Sequence, residues 1–223
     1  MIACLFDIDG TLLASGGAGK AALEASLTGE FSVELRTQIP YAGRTDRAII
    51  RDLLNSHDLE DSAENVQTLL AGYLRRLPDS LRQHNGRVLP GIETLLNKLQ
   101  QALNVAVGLL TGNVRDGART KLGHFGLFEH FRFGGFGDHH FDRDDVARDA
   151  LAAVHECVGP HCTADRIWVI GDTPLDVRCA RAIGARVAAV ATGLHSRDQL
   201  AASRPDLLFD DLSDPMPLLR LIL

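Results

Sequence analysis

The chain has 223 residues, of which 45% are hydrophobic and 23% are charged, and its formal net charge at pH 7 is −6. This length and composition suit one large soluble domain, or a domain with a substantial insertion. The acidic balance argues against broad binding to nucleic acid or to an anionic membrane surface, because both partners carry negative charge.

The cysteines and the apolar segments predict a cytoplasmic protein. The 4 cysteines form neither a zinc pattern nor a disulfide framework, so we expect them to be reduced. No apolar stretch reaches the roughly 18 residues of a membrane span. The first apolar run has no basic flank and ends at Asp7, which is not the pattern of a signal peptide. No coiled-coil signal indicates obligate assembly, and we expect a monomer or a weak homodimer.

The first predicted element is a buried strand over residues 2–6 that ends in two aspartates. Side chains alternate along an extended chain, so Asp7 and Asp9 share one face. Two carboxylates this close repel each other and resist joint ionisation. We therefore expect a cation or a shared proton between them.

The long segment that follows, up to Pro90, has helical periodicity and no strand of the same kind. It is too large for a simple crossover between two strands. We therefore predict an inserted all-helical cap domain over residues 15–86. The core domain would then consist of residues 1–14 and 87–223.

Beyond this segment, apolar runs of strand length alternate with helical patterns. The predicted strands lie in the runs 105–113, 131–138, 166–174 and 186–193. The predicted helices lie in the segments 91–103, 114–124, 144–157 and 174–183. This alternation predicts an α/β fold, a Rossmann-like, doubly wound parallel sheet with helices on both faces.

Three of the apolar runs end in polar motifs: DIDGT at 7–11, TGN at 111–113 and GDTPLD at 171–176. The carboxyl ends of parallel strands lie along one edge of the sheet, where ligands bind. Carboxylates from two strand ends, Asp7 and Asp172, could hold a Mg²⁺ ion that also contacts a substrate phosphate. The pattern is therefore suited to phosphoryl transfer with a divalent metal.

These motifs, in this order and with a helical insertion after the first, resemble the haloacid dehalogenase superfamily. The likeness is greatest to its phosphatases with a helical C1-type cap, such as the phosphoglycolate phosphatases, and it covers nearly the whole chain. It implies a phosphoric monoester hydrolase that uses Mg²⁺ and acts on a small phosphorylated metabolite.

The resemblance also implies roles for four aspartates. Asp7 would be the nucleophile that forms an aspartyl-phosphate. Asp9 would protonate the leaving oxygen and later activate water, and its backbone carbonyl would contact the metal. Asp172 would be the remaining metal carboxylate, and Asp176 would support the metal site through water or hydrogen bonds. Asp176 also fits position N3 of a helix capped by Thr173, and both interpretations can hold together.

The TGN motif is expected to hold the phosphate oxygens of the substrate. The hydroxyl of Thr111 and the backbone amides of Gly112 and Asn113 would bind them at the start of a helix. The alternative is that Thr111 simply caps that helix.

Relatives in the family carry a lysine between the second and fourth motifs that binds phosphate and steadies the nucleophile. Lys121 lies too early in the chain for this role, and we assign it to Arg143, since arginine binds phosphate through two parallel hydrogen bonds. The alternative is that Arg143 only pairs with Asp144 or Asp145.

Arg44 lies between two predicted cap helices, in a segment that meets the substrate in similar proteins. It could bind a substrate carboxylate or a second phosphate. The alternative is a residue of an ordinary surface loop.

Within the family, Asp9 favours a phosphate ester as the substrate, because dehalogenases lack an aspartate at this position. A phosphoglycolate-like ester is the leading candidate. A phosphosugar mutase similar to β-phosphoglucomutase stays an alternative, although Thr11 stands where such mutases usually have a hydrophobic residue. A hydrolase of pyrophosphate or of a nucleotide monophosphate, and a non-catalytic binding protein of the same fold, are further alternatives.

Overall fold

A computed structural model describes residues 1–36 and 38–223. The strands are β1 (Ile2–Phe6), β2 (Leu13–Ala14), β3 (Arg87–Val88), β4 (Val105–Leu110), β5 (Gly134–Gly135), β6 (Ile167–Gly171), β7 (Arg186–Val190) and β8 (Leu207–Phe209). The helices are α1 (Ala18–Phe31), α2 (Asp46–Ser56), α3 (Ala63–Gln83), α4 (Ile92–Gln101), α5 (Arg115–His124), α6 (Arg143–Val158), α7 (Pro174–Ala182), α8 (Arg197–Ala202) and α9 (Met216–Ile222). None of the helices in these described ranges is both long and apolar enough to span a membrane.

The main sheet has six parallel strands in the order β5-β4-β1-β6-β7-β8. β1 lies in the middle, with Phe6 in register with Leu109 of β4 on one side and with Ile170 of β6 on the other. The order reverses on either side of β1, as in a doubly wound sheet. The predicted fold class is confirmed.

Both faces of the sheet are covered, which explains the unbroken apolar runs. Along β1, Cys4 and Phe6 belong to the core on one face, whereas Ala3 and Leu5 belong to the core on the other. Full burial of a side chain such as Phe6 stabilises the fold by about 1.5–3 kcal/mol relative to leaving it exposed. A strand of this kind needs apolar residues at every position.

The run 131–138 was predicted to be a strand over its length, but only Gly134–Gly135 forms one. Phe131 lies in the core on one face of the sheet, and Phe133 packs against the core on the other. Two residues two apart in a regular strand would share a face. The chain therefore turns between these two rings and becomes regular only at the glycines. No prediction covered β2, β3, β8, α8 or α9.

The residues between the first and second strands of the main sheet form helices α1, α2 and α3. These helices share an apolar core of their own, which includes Leu27, Leu53 and Leu77. Where the chain enters and leaves this segment, β2 and β3 pair antiparallel, with Leu13 opposite Val88. The division into a core and a cap over residues 15–86 stays a prediction, and we call this segment the predicted cap.

Candidate active site

The three polar motifs meet at one edge of the sheet, at the carboxyl ends of β1, β4 and β6. A cavity of about 430 Å³ lies between this edge and the predicted cap. Its lining on the edge side includes Asp7, Asp9, Gly112, Asn113, Lys121, Arg143 and Asp172. Its lining on the other side includes Lys20, Tyr41, Arg44 and Asp46. The volume is in the range of a pocket for a small molecule.

Three buried carboxylates, those of Asp7, Asp172 and Asp176, form a cluster at this edge. One oxygen of each lies within 4.8 Å of the others. Burial raises the pKa of Asp7 to about 6, because the charge of Arg143 only partly offsets the loss of solvent and Asp176 adds repulsion. Burial and the two neighbouring carboxylates hold the pKa of Asp172 well above its ordinary range. The cluster therefore carries more negative charge than its one arginine neutralises.

Arg143 supplies the positive charge of this cluster. It is the first residue of α6, is only 3% exposed, and points from the helix start towards the strand ends. Its Nη2 lies 3.0 Å from Oδ1 of Asp7 and 2.5 Å from Oδ1 of Asp176. The structure thus brings Arg143 to the predicted nucleophile. Its role there stays a prediction.

The alternative partners of Arg143 are engaged elsewhere. Asp144 lies 3.0 Å from Nε of Arg178, and Asp145 pairs with Arg148. The alternative that Arg143 merely pairs with one of these two aspartates is therefore wrong.

Asp176 performs the predicted capping role and belongs to the cluster as well. Its Oδ2 accepts hydrogen bonds from the backbone N–H of Thr173 at 2.9 Å and from the Thr173 hydroxyl at 2.7 Å. The Thr173 hydroxyl in turn accepts a bond from the Asp176 N–H, which completes a capping box. Since Arg143 occupies the other carboxylate oxygen, Asp176 is placed to support the cluster through hydrogen bonds.

Asp172 lies in a cradle of small residues. A Cβ added at Gly10 or Gly193 would collide with Oδ2 of Asp172, and Gly10 also has a left-handed φ of 86°. The hydroxyl of Thr11 donates to Oδ1 of Asp172 at 3.0 Å. A hydrophobic residue in place of Thr11 could not make this bond. The site thus fixes one oxygen of Asp172 and keeps side chains away from the other.

These donors fit a hard divalent cation. Mg²⁺ prefers carboxylate and carbonyl oxygens, and its charge would offset the excess negative charge described above. Asp7 and Asp172 are the residues best placed to bind it directly, because both oxygens of Asp176 already have partners.

Asp9 has a different environment from Asp7, although the two are only two residues apart. Its side chain is 37% exposed. Its Oδ2 accepts hydrogen bonds from Nζ of Lys121 at 2.5 Å and from Nδ2 of Asn113 at 3.0 Å. Burial acts to raise the pKa of Asp9, but the Lys121 ammonium and these hydrogen bonds outweigh it and lower the pKa.

Lys121 was excluded from the predicted site because it comes early in the chain. In the structure it lies at the centre of the group of side chains around Asp9. It is 5% exposed, and its Nζ also donates to Oδ1 of Asn113 at 2.6 Å. The sequence does contain a pattern that indicates a buried position for Lys121. Val114 and Ala118 point into the core, and Lys121 follows them at helical spacing on the same buried face of α5.

The residues of the TGN motif lie at the end of β4. Oγ1 of Thr111 accepts hydrogen bonds from the backbone N–H of Asn113 at 3.3 Å and from its Nδ2 at 2.9 Å. The residue that precedes α5 is Val114, so the alternative that Thr111 caps this helix is wrong. Gly112 and Asn113 line the cavity. Phosphate binding by these residues stays a prediction.

Arg44 lines the cavity from the predicted cap, but its charge is partly balanced. Its Nη2 lies 2.6 Å from Oδ2 of Asp52, and its Nη1 donates to the carbonyl of Pro40 at 3.1 Å. Its side chain keeps 20% of its surface exposed. A substrate anion could therefore still approach it.

The loop that carries Arg44 is seated directly on the strand edge. The backbone N–H of Asp46 donates to the carbonyl of Gly112 at 2.7 Å, and Oδ2 of Asp46 accepts from the N–H of Val114 at 2.8 Å. A Cβ at Gly112 would collide with the Arg44 carbonyl. Burial raises the pKa of Asp46 to about 6, although the charge of Lys121 opposes the shift.

Comparison with known proteins places this geometry in a family. Residues 4–190 match the family model described as haloacid dehalogenase-like hydrolase. Phosphoglycolate phosphatase 1 of Pseudomonas aeruginosa is 28% identical over 96% of this chain and 78% of its own. The phosphoglycolate phosphatase of Salmonella paratyphi A is 23% identical over 97% of this chain and 91% of its own.

A solved structure with the same fold is that of CbbY from Rhodobacter sphaeroides in complex with xylulose-(1,5)bisphosphate. It has a TM-score of 0.76 and 18% identity, and the match covers 96% of each chain. The resemblance inferred from the three motifs is confirmed, and so is the prediction of a phosphoric monoester hydrolase. With its motifs at one sheet edge and most of its length matched, the chain belongs to the haloacid dehalogenase-like hydrolase family.

Proposed function

We propose that the protein is a Mg²⁺-dependent phosphatase that hydrolyses a small, phosphoglycolate-like phosphomonoester through an aspartyl-phosphate on Asp7. One observation carries this proposal. The Asp7 carboxylate lies 3.0 Å from the buried Arg143, beside two further carboxylates, and faces a cavity of about 430 Å³. A nucleophile, a phosphate-binding cation and a metal-binding donor set thus share one small site.

The residues of the site would act mainly by positioning and by neutralising charge. Uncatalysed phosphomonoester hydrolysis is so slow that enzymes accelerate it by up to about 10²¹-fold. Arg143 fixes the orientation of Asp7 and can bind the transferring phosphoryl group. The backbone amides near Gly112 and Asn113 can receive its remaining oxygens.

Mg²⁺ would be held by Asp7, Asp172 and the backbone carbonyl of Asp9, with Asp176 as a hydrogen-bonded support. When bound, it would neutralise charge on the phosphate oxygens and align them for in-line attack. In the metal-free protein, the raised pKa values of Asp7 and Asp172 favour a proton in its place.

Asp9 would handle the protons of the reaction. Once the negative charge of the bound phosphate has favoured its protonation, its carboxyl group would protonate the leaving oxygen as the ester bond breaks. The resulting carboxylate would then take a proton from the water that hydrolyses the aspartyl-phosphate. The exposed part of its side chain faces the cavity, where both events must occur.

The substrate class follows from the cavity and its charges. The cavity suits a small metabolite, and Lys20 and Arg44 line it opposite the carboxylates. These two cations could bind a substrate carboxylate, as phosphoglycolate would present. The two curated relatives named phosphoglycolate phosphatase support the same choice. We also propose a cytoplasmic protein that is a monomer or a weak homodimer.

The test is phosphate release from a panel of small phosphomonoesters that includes 2-phosphoglycolate, in the presence of Mg²⁺. We expect turnover by the wild type, loss of turnover with a chelator, and a fall of at least about 10³-fold in kcat for Asp7→Asn. Asp198→Asn, which changes an exposed aspartate of α8, is the matched control and should keep wild-type activity.

The other outcomes separate the alternatives. Conversion of glucose 1-phosphate to glucose 6-phosphate without phosphate release would favour a mutase. Preference for pyrophosphate or a nucleotide monophosphate would change the substrate class. No reaction with any of these compounds in the presence of Mg²⁺ would favour a binding protein.

A further inference from the structure

Lys121 is a charged residue in an almost fully buried position. Its side chain is 6% exposed, and its Nζ lies 2.5 Å from Oδ2 of Asp9 and 2.6 Å from Oδ1 of Asn113. Burial of an ammonium group is costly unless it is paired and hydrogen-bonded. A fold that needed only packing at this position of α5 would be more stable with an apolar residue. The pairing with Asp9 is therefore the feature to explain.

Lys121 lines the cavity, and a glycine of α1 lies against its ammonium group. Gly19 of α1 faces it so closely that an added Cβ would lie 3.1 Å from Nζ. The carboxylate of Asp46 also faces Lys121, whereas the nearby Tyr73 hydroxyl stays neutral because burial raises its pKa. Asp9 is the carboxylate that Lys121 contacts directly.

The two oxygens of Asp9 are held unequally. Oδ2 accepts two hydrogen bonds, at 2.5 Å from Nζ of Lys121 and at 3.0 Å from Nδ2 of Asn113. Oδ1 accepts a single longer bond of 3.2 Å from the hydroxyl of Ser15. Asn113 is itself fixed, because its Oδ1 accepts from Lys121 while its Nδ2 also donates to Thr111. The rotation of the Asp9 carboxylate is therefore set by Lys121 and Asn113.

We propose that Lys121 is a positioning residue for Asp9. By fixing Oδ2 of Asp9, it makes Oδ1 the oxygen that exchanges protons with the substrate and water. This inference rests on the proposed function and adds to it a residue that acts through Asp9. Lys121 keeps its own protons throughout and does not contact the reacting atoms.

The two steps balance as follows. Asp9 enters the first step with a proton on Oδ1, which it takes from solvent when the negative charge of the substrate phosphate arrives beside it. When Asp7 bonds to phosphorus and the ester P–O bond breaks, this proton passes to the leaving oxygen. The negative charge that Asp9 gains faces the ammonium of Lys121. In the second step, Oδ1 takes a proton from water as the water oxygen bonds to phosphorus and the bond between phosphorus and Asp7 breaks. The proton lost in the first step is thereby restored.

The test compares two leaving groups in the Lys121→Met variant. An aliphatic leaving group, such as the glycolate of 2-phosphoglycolate, needs the proton, whereas p-nitrophenolate leaves without it. We measure kcat/KM, which includes the first phosphoryl transfer but not the later hydrolysis of the aspartyl-phosphate. Lys121→Met should lower kcat/KM on the order of 10²-fold for the best aliphatic ester of the panel and less than about threefold for p-nitrophenyl phosphate.

Lys98→Met is the matched control, because Lys98 is an exposed lysine of α4, and it should leave both values unchanged. Lys121→Gln keeps an N–H donor without the charge and should lower the aliphatic value by an intermediate factor. If Lys121→Met fails to fold, Lys121→Gln supports the same comparison of leaving groups.

The failure of this inference differs from the failure of the proposed function. Equal losses with both leaving groups, or no loss with either, would overturn the role of Lys121 while the wild type still hydrolyses both esters. If the wild type hydrolyses neither ester, the proposed function is wrong and the inference about Lys121 is overturned with it.

Discussion

Asp7 and Asp9 follow the same strand, two residues apart, yet they lie in opposite electrostatic surroundings. Asp7 is buried among carboxylates with one arginine, and its pKa is raised to about 6. Asp9 is partly open to the cavity and bonded to a lysine, and its pKa is lowered. Both carboxylates line the same cavity beyond the end of β1, but the residues that meet each of them come from different helices.

This difference would allow one short motif to supply the two chemical functions that we propose for it. A carboxylate held among other carboxylates accepts a cation, or a proton in its place, and Asp7 is in such a position beside Asp172. A carboxylate bonded to an ammonium keeps a fixed orientation and is free to exchange protons on its other oxygen.

The largest expected effect comes from removing the cation on the Asp7 side. Arg143→Met leaves the carboxylates of Asp7 and Asp176 buried without their partner, which should cost about 3–5 kcal/mol of unfolding free energy. Denaturant unfolding measures this loss. Arg178→Met, which breaks exposed pairs with Asp142 and Asp144, is the control and should cost less than about 1 kcal/mol. Equal losses in the two variants would contradict the assignment of Arg143 to a buried, charge-balancing position.

A smaller effect is expected from adding Mg²⁺ at pH 7.5. A cation that binds only the folded protein should stabilise it by about 2.7 kcal/mol at a concentration of 100 times its Kd. Thermal melting with and without Mg²⁺ measures the shift. The shift should shrink as the pH falls through about 6, because Asp7 then takes up a proton that competes with the metal.

Asp172→Asn is the control for this measurement, since it removes one carboxylate and keeps the shape of the residue. It should abolish most of the shift. A shift of wild-type size in this variant would show that the metal binds elsewhere.

The smallest effect concerns Asp46, which lies near Lys121 but is not bonded to it. Its pKa in the folded protein is raised from 3.8 to about 6. Between these pH values the folded protein binds a proton that the unfolded chain has lost, so this group lowers the stability of the fold as the pH rises. Asp46→Asn removes the effect and keeps an oxygen for the Val114 N–H.

On going from pH 4.5 to pH 7, the unfolding free energy should therefore change by a more positive amount in Asp46→Asn than in the wild type, because the variant lacks the loss that Asp46 contributes. We expect the two changes to differ on the order of 1 kcal/mol, since the residue is only half-buried and solvent screens its charge. An equal change in the two proteins, or a more negative change in the variant, would contradict the raised pKa of Asp46.

The fold was largely predictable because apolar runs of strand length alternate with helical stripes after residue 105. The irregular segment at Phe131 and Phe133 was not predictable. In the sequence, two aromatic residues that pack on opposite faces of a sheet look like part of one regular strand. In the site, Asp7, Asp9 and Asp172 could be placed together because they follow strands that end at one edge.

Lys121 could not be placed from its distance along the chain. Its position depends on the rotation of α5, which brings a residue two turns into the helix back towards the strand ends. The helical spacing from Val114 and Ala118 would have put it on the buried face, and a lysine on such a face needs a partner. The partner, Asp9, lies 112 residues away in the sequence.

The most direct measurement of the division of roles between the two aspartates is a rapid-quench experiment on Asp9→Asn with p-nitrophenyl phosphate and Mg²⁺. This leaving group needs no proton, so Asp7 should still take the phosphoryl group, while its hydrolysis should be slow without the base. We predict a burst of about one p-nitrophenolate per enzyme, with the phosphate on the peptide that contains Asp7. Steady release without a burst, or a phosphate on a different residue, would contradict the assignment of nucleophile and acid–base to this pair.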